Sequence, residues 1–113
     1  MNTWHKGLTS ERWGEMSLAE QMANVASEVG RTISWRNKGN TEYSRLAFER
    51  ALELLTLTKT SFKKEESILK EISRVYEALA DYFLGENKFG SSDELWEKYF
   101  APFEYLAARE RLE

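Results

Sequence analysis

The sequence predicts an all-α protein: an antiparallel up-down four-helix bundle with an N-terminal arm and a Pro-kinked last helix. Three observations lead there. Apolar residues recur at spacings of three and four along most of the chain, with almost no strand-like alternation. Capping signals stand where those periodic runs begin. Proline, which would break helices, occurs only once, at Pro102. At 113 residues, 42% hydrophobic and 31% charged, the chain has the size and composition of one soluble globular unit. The expected division is an arm over residues 1–16 and a bundle over residues 17–113.

The arm holds Trp4, Leu8 and Trp13 and reads as too short for a packed helix, so it should lie on the bundle or on a partner. The first helix starts at Ser17, where Ser-Leu-Ala-Glu forms a capping box: the Ser17 hydroxyl and the Glu20 carboxylate each satisfy a backbone N–H. Leu18, Met22, Val25, Val29 and Ile33 then make one apolar stripe. Gly39 in a left-handed turn ends this helix, and Asn40 caps the next. The second helix, Thr41 to Thr58, is apolar over more than half its circumference. That implies burial by three neighbours or by a second subunit.

A polar linker from Lys59 to Lys64 leads to a third helix carrying Ile68, Ile72, Val75, Leu79 and Phe83, which stops at Gly85. After the loop GENKFGSS, Ser91 with Glu94 repeats the capping pattern. Leu95, Trp96, Tyr99, Phe100, Phe103, Leu106 and Ala107 give the fourth helix its inward face, and Pro102 should kink or split it. Short connections favour antiparallel neighbours.

Composition excludes several chemistries. Without cysteine there are no disulfides, thiolate metal sites or thiol nucleophiles. The single histidine, His5, sits in the arm, and no Glu-x-x-His pair of the di-iron bundles is present, so no metal and no cofactor are expected. Glu77 and Asp81, one turn apart, read as an outward charged face. Serines occupy caps and linkers rather than positions beside a general base, and no glycine-rich phosphate loop occurs. The stretch MNTWHKGLTSERWGEM has no apolar run for a signal or membrane span, so the expected location is the cytoplasm, away from membranes. A net charge of −3 and a pI near 5.3 weigh against nucleic acid as a partner.

Three groups of residues remain as candidate sites. Glu20, Asn24, Glu28, Arg31 and Trp35 project onto one strip of the first helix within about 80° of arc, forming a candidate interaction surface with Trp35 as anchor. Arg50 projects among leucines of the second helix and needs a carboxylate across a helix interface, with Glu28, Glu20 or Glu71 in reach, or a path to water. Arg31, Arg36, Lys38 and Lys88 form a candidate basic patch at one end of the bundle, since the GENKFGSS loop should lie beside the Lys38 turn. Gly30, inside a helix, points to close approach of another group.

The run from Leu18 to Leu55, with Asn24-Val25-Ala26-Ser27-Glu28-Val29-Gly30 at its heart, resembles the four-helix-bundle family encoded in intervening sequences of bacterial 23S ribosomal RNA. The family's Asn and Glu-Gly stand closer together than the matching residues here. Blocks such as SLAEQMANVASEVGR and GSSDELWEKYF are similar to those of small uncharacterised prokaryotic helical proteins. The resemblance implies a bundle that often self-associates. The expected function is therefore a non-enzymatic helical bundle acting by homo-oligomerisation or as a small protein-binding accessory subunit. The alternatives are a nucleic-acid-associated bundle using the basic patch, and an enzyme or ligand pocket around Arg50.

Overall fold

In a computed structural model, which describes residues 10–113, the local signals above resolve into five helices. They are α1 (Ser10–Gly14), α2 (Leu18–Asn37), α3 (Thr41–Ser61), α4 (Glu66–Leu84) and α5 (Asp93–Leu112), and the described residues hold no strand. Trp4, His5 and Leu8 lie outside them. No described helix is long and apolar enough to cross a membrane.

Both ends of α2 and the start of α3 are set by local side-chain and backbone contacts. Ser17 opens α2 with the expected capping box, its hydroxyl accepting from Glu20 N–H at 3.1 Å while the Glu20 carboxylate accepts from Ser17 N–H at 3.4 Å. At the other end Gly39 adopts φ +81°, the Gly39 N–H bonds the Arg36 carbonyl, and the Asn40 N–H bonds the Trp35 carbonyl. This is a Schellman closure, and it requires the left-handed residue that glycine supplies without strain. The Asn40 side chain then accepts from Tyr43 N–H at 2.9 Å and starts α3.

Residues preceding Ser17 were expected to be too short to pack as a helix. Instead Ser10–Gly14 forms a helical turn and Trp13 is among the most deeply buried side chains, 1% exposed. Its indole N–H donates to the Thr58 hydroxyl at 3.2 Å, and the buried Gln21 amide donates to the Trp13 and Met16 carbonyls at 2.9 and 3.3 Å. A buried indole stabilises by area but needs an acceptor for its N–H; Thr58 provides it.

α2 packs on α3 and α5, while α3 packs on α1, α2 and α4. Three neighbours within the chain thus cover most of the wide apolar arc of α3, with Tyr43 left half exposed. Met22, Val25, Leu54, Leu55 and Leu79 form the centre of the core, and Trp96 and Phe100 of α5 close it. Ser17 donates to Glu110 at 2.7 Å, and Arg36 pairs with Asp93 at 2.5 Å.

The segment between α4 and α5 is shaped by Asp81, whose carboxylate accepts from the backbone N–H groups of Lys88 and Phe89 at 2.8 and 3.0 Å. This is the work that its sequence reading as an outward charge did not foresee. The N-cap of α5 is Ser92, accepting from Leu95 N–H at 3.1 Å, not Ser91, whose backbone is bound instead by the Asn87 side chain. α5 is not split by Pro102: it runs from Asp93 to Leu112.

Candidate interaction surface

The five residues of the predicted α2 strip do not share one environment. Helix α2 is buried through Ala19, Gln21, Met22, Val25, Ala26, Glu28, Val29 and Thr32, an arc of about half its circumference at 100° per residue. A single-stripe reading assumes one neighbour; α2 has two large ones, so residues at both edges of the stripe go under. Glu28 is the clearest correction. It is 2% exposed, with its carboxylate accepting from Arg31 at 3.0 Å.

Glu20 is half-buried and folded back into the capping box, and the Asn24 amide donates to the Glu20 carbonyl at 2.8 Å. Both line a shallow cleft of about 240 Å³ between α2 and α5, with Ser27 and Arg111. Trp35 belongs to a different cleft, about 330 Å³, shared with Tyr43, Leu46 and Arg50 of α3. Its ring meets Tyr43 edge to face, centroids 4.9 Å apart, and the Lys38 ammonium sits 5.0 Å from the indole centroid. The structure therefore joins Trp35 with half-buried Arg50 and separates both from Glu20 and Asn24. Glu71, one of the carboxylates in question for Arg50, pairs with Arg74 and accepts from the Tyr99 hydroxyl at 2.9 Å.

The four predicted basic residues carry less uncompensated charge than their number suggests. Arg31 is engaged with Glu28, and Arg36 donates to Asp93 at 2.5 Å and to the Asn37 side chain at 2.9 Å. The contact of Arg36 with Asp93 brings the residue that follows the Gly85–Ser92 loop to the end of α2. Asp93 takes a second hydrogen bond from Tyr82 at 2.6 Å. The Arg36 hydrogen bond holds the Asp93 carboxyl below its ordinary range, and the same bond raises the guanidinium. Burial, followed by the Asp93 hydrogen bond, pushes the Tyr82 phenol up. Burial and then Glu71 do the same to Tyr99.

Sequence reasoning missed the exposed face of α5. Leu95 and Leu106 were expected inward, yet they are 53% and 49% exposed, and Tyr105 beside them is 62% exposed. Leu95, Tyr99, Pro102 and Leu106 follow one another at spacings of four, three and four and so lie on one side of the helix, with Leu95, Pro102 and Leu106 exposed and Tyr99 half-buried against the core. The inward face of α5 is narrower than its apolar content, because Trp96, Phe100, Phe103 and Ala107 already fill the space against the core. The signal was present in the sequence as an excess of apolar residues over what one face can bury.

Among the described residues no cluster of three or more His, Asp or Glu side chains could hold a metal ion. What these surfaces offer is contact: aromatic rings, aliphatic side chains and guanidinium groups. No known protein family, characterised protein or solved structure matches the chain.

Proposed function

We propose that the protein is a non-enzymatic helical bundle that acts by association, and that it pairs with a second copy of itself through the outer seam of α5. One observation carries this reading: Leu95 and Leu106, together with Pro102, form an apolar line along α5 that no other described residue covers. Scattered exposed leucines are ordinary, but Leu95 and Leu106 continue through Tyr99 and Pro102 at the four-three-four spacing by which helices pair.

We infer an antiparallel four-helix arrangement beneath it. Ser17 of α2 meets Glu110 of α5, and Arg36 of α2 meets Asp93 of α5, so the start of each helix lies beside the end of the other. Pro102 removes the N–H that would bond the Lys98 carbonyl on the solvent side, which supports a bend of α5 around the core.

Two α5 helices crossing antiparallel about residues 100 and 101 place Leu95 opposite Leu106 of the second copy, and Tyr99 opposite Pro102. Such a seam is self-complementary, as a twofold interface must be. From Leu95 to Leu106 it is about 17 Å long, which is short for a stable dimer, so pairing is expected in the micromolar range. The resemblance to a self-associating bundle family points the same way. The reading is preferred to nucleic-acid binding because Arg31 and Arg36 are engaged by acids. The expected setting is the cytoplasm.

The absence of native cysteine makes cross-linking a clean test. Leu95→Cys chains mixed with Leu106→Cys chains should oxidise to mixed disulfide dimers faster than either variant does alone. Equal and slow cross-linking in all three samples would overturn the α5 pairing.

A further inference from the structure

A second apolar opening lies away from the α5 seam, where the C-terminal end of α2, the first turns of α3 and the C-terminal end of α4 diverge. It is a cleft of about 300 Å³ lined by Thr32 and Arg36 of α2, Thr41, Ser44, Arg45 and Phe48 of α3, and Phe83 and Leu84 of α4. The Phe48 and Phe83 rings, 5.3 Å apart, form its floor. Leu84 stands at its rim, 71% exposed, in the last position of α4. A leucine so placed gains nothing from the fold around it.

The charged groups that line the cleft are two guanidiniums, each paired with a carboxylate outside the lining. Arg45 uses one Nη1 hydrogen bond on Glu49, and among the described residues its Nε and Nη2 donors make none. Arg36 is fixed by Asn37 and Asp93 through Nε and Nη2, and among the described residues its Nη1 makes none. The Ser44 and Thr32 hydroxyls donate to the Thr32 and Glu28 carbonyls, so neither has a proton left for an anion and the guanidiniums are the donors that remain. Thr41 opens α3, so the positive end of a 21-residue helix faces the same side.

We propose that this cleft binds a small amphiphilic carboxylate: a hydrocarbon body against Phe48, Phe83 and Leu84, and a single carboxylate reaching the free edges of Arg45 and Arg36. Charge decides the head group. Asp93 and Glu49 balance the two guanidiniums in formal charge, so the head group is held by the unused N–H donors, a demand that a single carboxylate meets and a phosphate dianion, which would need surplus positive charge, does not. Volume decides the body, because 300 Å³ is at the lower limit of ligand pockets and admits one short chain.

The probe is sodium decanoate, titrated below its micelle threshold into the full chain labelled with nitrogen-15, with decan-1-ol as the uncharged control. Saturating shifts of the Ser44, Arg45 and Leu84 amides are expected, with decan-1-ol binding about tenfold more weakly for want of the charge-assisted hydrogen bonds. Leu84→Glu and Arg45→Met alter exposed side chains outside the core, so both variants keep the fold. Leu84→Glu should abolish the saturable shifts, and Arg45→Met should weaken them by about three- to tenfold. Shifts that never saturate, that spread over the α5 seam, or that are the same for decan-1-ol would overturn the proposal. So would unchanged affinity in both variants. Leu106→Glu, which breaks the proposed pairing, should leave decanoate binding intact, so the two readings fail separately.

Discussion

Replacing Gly30 by alanine should stabilise this protein. Gly30 stands in the interior of α2, is solvent-exposed, and a Cβ built on it would meet no atom within 4 Å. The close approach that a mid-helix glycine suggested is therefore not made by any described part of the chain. With neither clash nor new packing, the change reduces to backbone entropy and helix propensity, about 0.8–1 kcal/mol in favour of alanine. Unfolding entropy of about 2.1 cal/mol/K per residue over 113 residues turns this into a rise in Tm of about 4 °C. Scanning calorimetry at fixed protein concentration, with a urea titration showing an unchanged m-value, reads the effect. A Tm equal to or below that of the unaltered chain would refute the reasoning, since it would mean that something covers position 30.

Three further outcomes follow from the same structure. Trp13→Ala empties a site that is 1% exposed and should cost about 3–5 kcal/mol in urea unfolding; a loss below about 1 kcal/mol would show that α1 is not part of the core. Asp93→Asn should destabilise at neutral pH. Because Arg36 depresses the folded carboxyl, that contribution is present above the ordinary value of 3.8 and is lost as pH falls through the lower folded value, so the gap to the unaltered chain should close only in acid. A gap that does not vary with pH would contradict it. Tyr99 has the opposite sense: above the ordinary 10.0 the unfolded phenol ionises while the buried one keeps its proton, so stability falls as pH rises past that point. Tyr99→Phe should flatten the alkaline decline in the urea midpoint.

Local chemistry was legible and tertiary chemistry was not. The Ser17–Glu20 box and the Gly39–Asn40 turn could be read because both partners of each contact lie within a few residues. The α5 cap was misread by one residue, since Ser91 and Ser92 both precede acids and only the placement of Asn87 decides between them. Helix α1 is too short to show a period, and its hold on the core depends on Thr58, 45 positions away. Arg36 looked like a free cation at a helix end because Asp93 is 57 positions distant. Glu28 looked exposed because periodicity assigns one face to one neighbour, whereas α2 lies against both α3 and α5. Conversely, Trp35 and Arg50, singled out on separate helices, do meet in one cleft.

The central claim is that α5 pairs with α5. It is tested most directly by the solution mass from light scattering on a sizing column, across protein concentrations in the micromolar range, for the unaltered chain and for Leu106→Glu. Leu106 is half exposed, so its replacement leaves the core intact. The account predicts a mass rising from monomer toward dimer with concentration for the unaltered chain, and a monomer throughout for the variant. A monomer at every concentration in both, or an equal dimer in both, would contradict it.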